Sequence, residues 1–439
     1  MQEYLALFMI LGFMLLLLVG IPVGIGIAVA GLIFGWIGFG DFLFNLSPAR
    51  IYGVCTKYEF IAIPLFIFMG VMLEKSRVAE DMLDMIGRLS GRLHGSMAIA
   101  LVIVGVLMGA STGIVGATVV TLTMFAVPML IRRGYDAGIT AGVVCASGTL
   151  GQIIPPSLVL ILLADIMGVS VGTLFAAAVT PGLLLALLYI AYILLLGFVQ
   201  PGIMPLALES EKNDITGLRL AIKAMIVLAS PMSLVIGVLG SIITGIAAPT
   251  EAASVGAVFS ILIALAYRRF TFTMLWSALN STLRISAMIF FILISAQIFS
   301  IAFRGLNGDA MIERLLAFLP GDELSAVIFL MLLIFILGFF LEWIEISYIA
   351  LPLLLPFFKA QGVDMIWLAT LIAINLQTSF LTPPFGWALF FFRGAAPPQI
   401  KTEKIYRGVL PFILIQALLL FLLLLYPKLS TWLPEAIGW

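Results

Sequence analysis

The sequence predicts an all-α polytopic membrane protein made of two inverted-topology repeats, and three observations support that class. Of its 439 residues, 63% are hydrophobic and 10% are charged, and the mean hydropathy is +1.24. Soluble domains of this length are not so apolar. Two membrane segments are each interrupted by a double proline. The interruptions and the residues around them recur at a nearly constant spacing, which indicates an internal duplication.

The first interruption covers residues 146–157 and lies between the apolar runs 139–145 and 158–164. Neither run reaches the roughly 20 residues needed to cross a bilayer. Because proline has no N–H and clashes with the preceding turn, a helix must open at Pro155 and Pro156. Backbone groups freed inside lipid must be satisfied by protein, water or an ion. Such a broken helix is typical of an ion and substrate site in a secondary transporter, and a kink satisfied by neighbouring helices is the alternative.

The second interruption covers residues 375–386, and its double proline lies 228 residues after the first (383 − 155 = 228). We predict five crossings in each half, plus one re-entrant hairpin that enters and leaves on the same side. Because five is odd, the two halves would insert in opposite orientations. Other residues repeat in the same order at a shift of 228 or 227: Pro128 with Pro356, Gly134 with Gly362, Asp136 with Asp364, and Pro22 with Pro249.

In the first half, we expect scaffold helices (residues 1–74), an amphipathic arm along the membrane interface (75–95), and a hairpin with a broken helix (96–168) that belong to a moving transport domain. The hairpin tip is the small-residue stretch 109–117, and a single long kinked span is the alternative. A short loop with Asp41, Arg50 and Lys57 precedes the third apolar segment. The predicted segments are 5–19, 21–39, 60–73, the hairpin arms 97–106 and 119–131, the broken helix 136–167 and the span 174–198.

The second half repeats this order. Residues 169–306 are predicted to be scaffold, with a polar cytoplasmic linker near 200–219 that divides the halves. A second arm (307–323), a second hairpin with its broken helix (324–394) and a final scaffold span (395–439) follow. The predicted segments are 224–243, 252–267, 283–301, the hairpin 326–357 with its tip near 342–347, the broken helix 364–392 and the span 410–426.

Basic residues predict the orientation. Cytoplasmic loops are enriched in Lys and Arg, so the basic first arm and first hairpin base would lie inside, and the more acidic second arm outside, with both termini outside. The N-terminal segment has no basic residue before its small-residue stretch, so we expect it to be retained rather than cleaved. The basic residues assigned to the inside are Lys75, Arg77, Arg88, Arg92, Arg132, Arg133, Arg268, Arg269, Arg393, Lys401, Lys404 and Arg407.

Several functions are excluded by composition. The net charge of zero argues against nucleic acid as a ligand. Two cysteines and one histidine form no disulfide framework and no zinc-protease motif. The absence of a Gly-Lys pair excludes a P-loop, so we expect neither ATP nor an organic cofactor. Transport would then depend on an ion gradient or on another subunit.

Inverted repeats would bring each hairpin tip to a break, where hard oxygen donors suit sodium or protons, and we expect two or more sodium ions. The exposed N-termini of half-helices would favour a small carboxylate as substrate. For each hydroxyl, a hydrogen bond to its own helix is the alternative. The candidate sodium residues are Gly109, Ser111, Thr112, Gly148, Thr149, Pro155, Glu342, Glu345, Gln377, Thr378, Ser379 and Thr382. The candidate substrate residues are Gln152, Ser157, Ser347, Thr382 and Gly386.

Glu251 is a further candidate because it lies between Pro249 and an apolar helix, where a carboxylate is either functional or paired with a base at a subunit contact. Arg284, Arg304 and Arg393 are predicted to be interfacial.

A different class, an intramembrane aspartyl protease, is suggested by Gly-Phe-Gly-Asp ending at Asp41 and by Tyr-Asp at Asp136. The two motifs occur in reversed order relative to that family, and both aspartates fall at membrane ends. A shared proton requires both carboxyls in one site. We therefore expect no enzyme activity. A stand-alone sodium/carboxylate symporter is the other alternative.

Four stretches resemble the large, DctM-like membrane subunit of tripartite ATP-independent periplasmic (TRAP) transporters: residues 109–128 (GASTGIVGATVVTLTMFAVP), 148–157 (GTLGQIIPPS), 248–256 (APTEAASVG) and 63–70 (IPLFIFMG). The resemblance implies an elevator mechanism and sodium-coupled uptake of organic acids across a bacterial inner membrane. It also implies two partners, a small four-helix membrane subunit and a periplasmic binding protein that delivers the substrate.

Overall fold

The structure is a computed structural model, and it describes residues 2–89, 93–112, 115–206, 218–317 and 323–439. Every regular element in these ranges is helical. Six helices are long and apolar enough to cross a membrane alone, and the bent pair Phe42–Cys55 and Tyr58–Lys75 would add a seventh. The predicted all-α membrane class is confirmed, whereas the inverted orientation of the halves stays a prediction.

Ten helices form the first half. A short 3₁₀ turn, Leu150–Gln152, continues the eighth helix before the chain opens at the double proline. The helices are α1 (Gln2–Leu18), α2 (Val23–Phe39), α3 (Phe42–Cys55), α4 (Ala62–Lys75), α5 (Val78–Leu89), α6 (Ser96–Thr112), α7 (Val115–Arg132), α8 (Ala137–Thr149), α9 (Leu158–Met167) and α10 (Val171–Val199).

The second half has the same order, with a π-helical turn at Ile346–Ala350 in its hairpin. Its helices are α11 (Leu218–Ile243), α12 (Pro249–Ala266), α13 (Phe272–Gly305), α14 (Gly308–Ala317), α15 (Glu323–Leu337), α16 (Trp343–Glu345), α17 (Leu351–Ala360), α18 (Met365–Leu381), α19 (Trp387–Ala395), α20 (Thr402–Leu425) and α21 (Lys428–Ala436).

Two local predictions are wrong. The expected loop before α4 is the helix α3, because Leu43 and Val54 are buried on one face although the stretch carries charge. The span expected at 283–301 is the 34-residue helix α13, which starts eleven residues earlier where Thr271 caps it (283 − 272 = 11).

The helix α21 was not anticipated; it packs on α10, where Trp439 contacts Gly172. Most of the linker 200–219 and the end of the second arm lie outside the described residues.

The two halves pack together through two pairs of helices, each pair with one helix from either half. Helix α2 packs on α13, and α4 packs on α12. A shift of 227 carries α2 onto α12 and α4 onto α13, so the two contacts are equivalent with the halves exchanged. A two-fold relation between repeats produces this pattern. Glycine permits the closest approach, because a Cβ on Gly31 would lie 2.9 Å from the Cα of Phe299.

The helices that lead into the two breaks begin in the same way. The Asp136 carboxylate accepts the N–H of Gly138 at 2.7 Å at the start of α8. The Asp364 carboxylate accepts the N–H of Ile366 at 2.8 Å at the start of α18. Each cap satisfies backbone donors that have no partner within the helix, a contribution of about 1 kcal/mol.

Helix α20 packs on α8, and α10 packs on α20 and on α9. Gly142 of α8 touches Gly408 of α20, where a Cβ would lie 2.7 Å from the Gly408 carbonyl carbon. The Gln416 amide of α20 donates to the Tyr189 hydroxyl of α10 at 2.8 Å, and both side chains are fully buried. This close packing connects α10 and α20 to the first broken helix.

The first arm is tied to the scaffold at its start. The Arg269 guanidinium, between α12 and α13, donates to the carbonyls of Ser76 and Arg77 at 2.9 Å each. It also pairs with the Asp81 carboxylate of α5 at 3.0 Å. The arm α5 therefore joins the scaffold to α6, on which it packs.

The closest contact between the first hairpin and the first break predicts a stability effect. A Cβ on Gly151 would lie 2.8 Å from the carbonyl oxygen of Gly109, so Gly151→Ala should cost about 1–3 kcal/mol through overpacking. We expect a lower melting temperature in detergent. The control is Gly237→Ala in α11, where nothing lies within 4 Å; equal melting temperatures for the two variants would contradict the packing described here.

Candidate functional site

The candidate site is formed where each hairpin meets one broken helix. In the first pair, α6 lies against α8 and the turn that follows it: a Cβ on Gly105 would lie 2.6 Å from the carbonyl oxygen of Ser147, and Gly109 touches Gly151. In the second pair, Gly338 at the end of α15 touches Ser379 of α18. A Cβ on Gly338 would lie only 2.7 Å from the Cβ of Ser379. Only glycine allows the backbones this close.

The first break is an opening of the backbone on the C-terminal side of Gln152. Pro155 and Pro156 have no N–H, so the carbonyls of Gly151 and Gln152 lack their usual donors four residues later. The Ser157 hydroxyl compensates one of them by donating to the Gln152 carbonyl at 2.8 Å. The predicted break is thus confirmed, although α8 continues through Gly148 and Thr149 before it opens.

The second break has the same construction. Pro383 and Pro384 leave the carbonyls of Ser379 and Phe380 without their usual donors, and the Thr382 N–H donates to the Ser379 carbonyl at 3.2 Å. A Cβ on Gly386 would lie 2.5 Å from the Phe380 carbonyl oxygen and 3.0 Å from that of Thr382. Glycine therefore lets two carbonyl oxygens gather here. Both double prolines contain a cis peptide bond.

The two breaks meet through residues that correspond in the duplication. The Gln377 amide donates to the Thr149 hydroxyl at 3.3 Å, and the two residues are 228 apart. Both are fully buried. The two breaks therefore lie side by side in the interior of the protein.

Several buried polar atoms around the breaks have no hydrogen-bond partner within the described residues. They are both amide atoms of Gln152, the amide oxygen of Gln377, and the hydroxyls of Ser147 and Ser347. Burying such groups unsatisfied is unfavourable, so they indicate a ligand that supplies the missing interactions. Uncharged oxygens are suitable ligands for a hard monovalent cation, and the donor set therefore fits sodium.

The hydroxyls of the second break donate to carbonyls of their own helix. The sequence analysis gave this as the alternative to ion binding. Thr378 donates to the Ile374 carbonyl at 2.9 Å, Ser379 to that of Leu376 at 2.8 Å, and Thr382 to that of Thr378 at 2.7 Å. Thr149 in the first break donates to the Ala146 carbonyl at 2.9 Å. Because each hydroxyl oxygen keeps lone pairs, these bonds orient it without removing it as a ligand.

The second hairpin tip is closed by its own carboxylate. The Glu345 side chain is buried and accepts the N–H of Glu342 at 2.8 Å. Trp343 between them is also buried, and Ser347 follows at the start of the π-helical turn. π-helical turns recur at functional sites. Gly338 to Leu341 form the turn before Glu342, so the tip starts earlier than the sequence suggested.

Other candidates lie elsewhere or outside the description. The side chains at positions 110–114 of the first tip, Ser111 and Thr112 among them, are not among the described residues. Glu251 is exposed, and its carboxylate accepts the N–H of Ala248 at 2.9 Å, which caps α12. Arg284 is exposed. Arg393 donates to the Ile400 carbonyl.

The two aspartates of the protease alternative occupy separate sites. Asp41 accepts the indole N–H of Trp36 at 3.3 Å. Asp136 caps α8 and lies 3.6 Å from the ammonium nitrogen of Lys404. Each of these two described carboxylates is engaged at a different helix end, so Asp41 and Asp136 do not form an aspartyl dyad.

Two residues at the site were not anticipated. The Asn375 amide donates to the Met331 carbonyl at 2.6 Å and so fixes α18 to the second hairpin. Ser147 contributes a buried hydroxyl without a partner in the described chain. An amide in an apolar helix was a visible signal for Asn375, and the signal for Ser147 was its position within the first interruption, residues 146–157.

Comparisons with known proteins agree with this architecture. The family model "Tripartite ATP-independent periplasmic transporter, DctM component" matches residues 10–429. A C4-dicarboxylate TRAP transporter large permease protein DctM from Pseudomonas aeruginosa is 30% identical over 393 residues, which cover 89% of each chain. An isethionate TRAP transporter permease protein DctMQ from Oleidesulfovibrio alaskensis is 28% identical over 414 residues, 94% of this chain and 63% of that protein. The crystal structure of the Alcanivorax borkumensis YdaH transporter has a similar fold, with a TM-score of 0.62, 14% identity and 89% coverage of both chains.

The contact between Gly338 and Ser379 predicts a coupled pair of substitutions. Gly338→Ala should cost about 1–3 kcal/mol because its Cβ meets the Ser379 side chain. Ser379→Gly in the same chain should recover most of that loss, since it removes the clashing atoms. Melting temperatures of the two single variants and the double variant measure the coupling. Gly394→Ala is the control because nothing lies within 4 Å of it, and simple additivity would disprove the contact.

Proposed function

The chain belongs to the DctM component of tripartite ATP-independent periplasmic transporters, and we propose that it couples sodium to the uptake of a small organic acid. The matched relatives are transporter permeases, so the chain is a transport subunit and not an enzyme. Its family works with a small membrane subunit and a periplasmic binding protein. We propose that both partners act with this chain in a bacterial inner membrane, which argues against a stand-alone carrier.

The observation that carries sodium coupling is the pair of breaks with buried, unpartnered oxygens. Gln152 and Gln377 place amide oxygens at the breaks, and two carbonyls gather beside Gly386. Sodium bound at these positions would replace the hydrogen bonds that the prolines remove. Each hairpin–break pair would hold one ion, so that ion binding orders the hairpin tips.

An organic acid is favoured by the two half-helices that start after the breaks. Helices α9 and α19 begin at Leu158 and Trp387, and their first N–H groups have no partners within the helix. The positive ends of these helix dipoles stabilise an anion. Gln152, Ser157, Ser347, Thr382 and Gly386 lie next to these ends or to the second tip, as substrate ligands would. A C4-dicarboxylate, named for the relative from Pseudomonas aeruginosa, is the first candidate.

For the elevator movement, we propose a transport domain larger than residues 96–168 and 324–394. Helix α20 packs on α8 through Gly408, and α10 packs on α9 and is joined to α20 by the hydrogen bond between Gln416 and Tyr189. Backbones in such contact move together, so we assign α10 and α20 to the moving part rather than to the scaffold. Helices α1–α4 and α11–α13 then form the scaffold, and α5 and α14 are the arms.

Sodium dependence tests the proposed coupling. The transporter, reconstituted in liposomes with its two partners, should take up radiolabelled succinate when sodium is outside. Replacing that sodium with potassium should abolish uptake, since potassium is too large for a site shaped around sodium. Uptake at an unchanged rate in potassium would refute the coupling.

The amides at the breaks predict a change in sodium affinity. Gln152→Leu and Gln377→Leu should each raise the half-saturating sodium concentration about 10- to 100-fold, the usual effect of losing a group that orients or completes a cation site. Initial uptake rates against sodium concentration measure it. Gln416→Leu is the matched control, because Gln416 is a buried glutamine of α20 that belongs to neither break and bonds Tyr189. An equal rise in the half-saturating sodium concentration in all three variants would refute the assignment of Gln152 and Gln377 to the sodium sites.

A further inference from the structure

A second cavity, of about 750 Å³, lies away from the two breaks. It is enclosed by α3 and α13 of the scaffold, by the end of α9, and by the part of the second hairpin that follows its tip. By the predicted orientation of the helices, it opens toward the outer side of the membrane. It therefore lies between the scaffold and the proposed transport domain.

The cavity lining is strongly basic. Its charged residues are four cations, Arg50, Lys57, Arg304 and Lys359, and one carboxylate, Asp165, which gives a formal charge of +3 (4 − 1). The whole chain has a net charge of zero. Positive charge is thus concentrated in one concave space, where low-dielectric walls focus its field.

Little of this charge is neutralised within the protein. The single carboxylate, Asp165, pairs with Lys57 and also accepts the Tyr348 hydroxyl at 3.2 Å. Arg304 is 4.0 Å from the Asp309 carboxylate, at the limit of an ion pair. Arg50 and Lys359 form no ion pair with any described residue, and both are exposed to the cavity.

The remaining polar lining consists of hydrogen-bond donors. Gln297 and Ser300 of α13 face the cavity beside the cations. Tyr348 borders it from the π-helical turn, directly after Ser347, which is a candidate substrate residue. The cavity therefore ends one residue from the second hairpin tip, and a molecule held in it would lie beside the proposed site.

We propose that this cavity is a separate binding site for a small dicarboxylate, occupied on the outer side before the substrate reaches the breaks. A dianion would be held by Arg50 and Lys359 and would reduce the formal charge of the cavity from +3 to +1. A monocarboxylate would be held less tightly. The inference rests on the proposed function for its ligand class, but the charge of the cavity can be tested without transport.

Charged thiol reagents measure the potential in the cavity. In the full-length chain, Cys55→Ser removes the exposed cysteine, and Cys145 is buried. Ser300→Cys then places a thiol in the cavity. Anionic 2-sulfonatoethyl methanethiosulfonate should modify it about tenfold faster than the cationic 2-(trimethylammonium)ethyl reagent, after division by each reagent's rate with free 2-mercaptoethanol. Equal normalised rates would overturn the proposal.

Two variants and a control assign the effect to the cavity. Arg50→Gln and Lys359→Gln should each lower the anion-to-cation ratio severalfold. Lys428→Gln should not, because this exposed lysine lies on the same predicted side but outside the cavity. A ratio that falls equally in all three variants would show a general surface potential and would overturn the proposal.

Protection by ligand tests the binding step. Potassium succinate should slow modification of the thiol at about one-tenth of the concentration needed with potassium acetate, at constant ionic strength. Protection by both salts at the same concentration, or by neither, would overturn the dicarboxylate site. This protection assay contains no sodium, so its result does not depend on the proposed coupling. If succinate protects the thiol but uptake proves independent of sodium, the coupling is refuted and the cavity site stands.

Discussion

Backbone groups inside a lipid layer must find partners within the protein, and this constraint governs the centre of the molecule. At each break, two prolines remove the donors that the preceding carbonyls need. The Ser157 hydroxyl and the Thr382 N–H replace two of these donors. The amides of Gln152 and Gln377 retain unpartnered atoms within the described chain. The breaks thus depend on packing within the protein, and the amide atoms left without a partner are the reason we propose a cation there.

Close packing through glycine is the second requirement of this centre. The hairpins reach the breaks because Gly109 faces Gly151 and Gly338 faces Ser379. Side chains at these positions would separate the hairpins from the broken helices and expose the opened backbone. Asn375 adds a polar contact from α18 to the second hairpin. Packing and polar satisfaction are therefore two aspects of one arrangement, and the site depends on both.

The duplicated helices were predictable because their signals are local and periodic. The double prolines, the helix-capping aspartates and the long apolar segments are visible in the sequence, and they lie where the structure places the breaks and helix starts. The helix α3 was not predictable, because Arg50 within it and the charges just beyond its two ends resemble those of a loop. Only the packing of Leu43 and Val54 reveals its buried face. The position of Ser147 within the first interruption was visible, but its unpartnered hydroxyl was not, since many serines in membrane helices bond their own backbone.

The sequence by itself determined that the chain is a helical membrane protein, that two of its helices are broken, and that oxygen donors accompany the breaks. These properties follow from hydropathy and from the chemistry of proline, which act over a few residues. Only the tertiary structure decided that Thr149 meets Gln377, that α10 and α20 join the first broken helix, and that Arg50, Lys57, Arg304 and Lys359 share one cavity. Such contacts join residues far apart in the chain, and their distances depend on how whole helices pack.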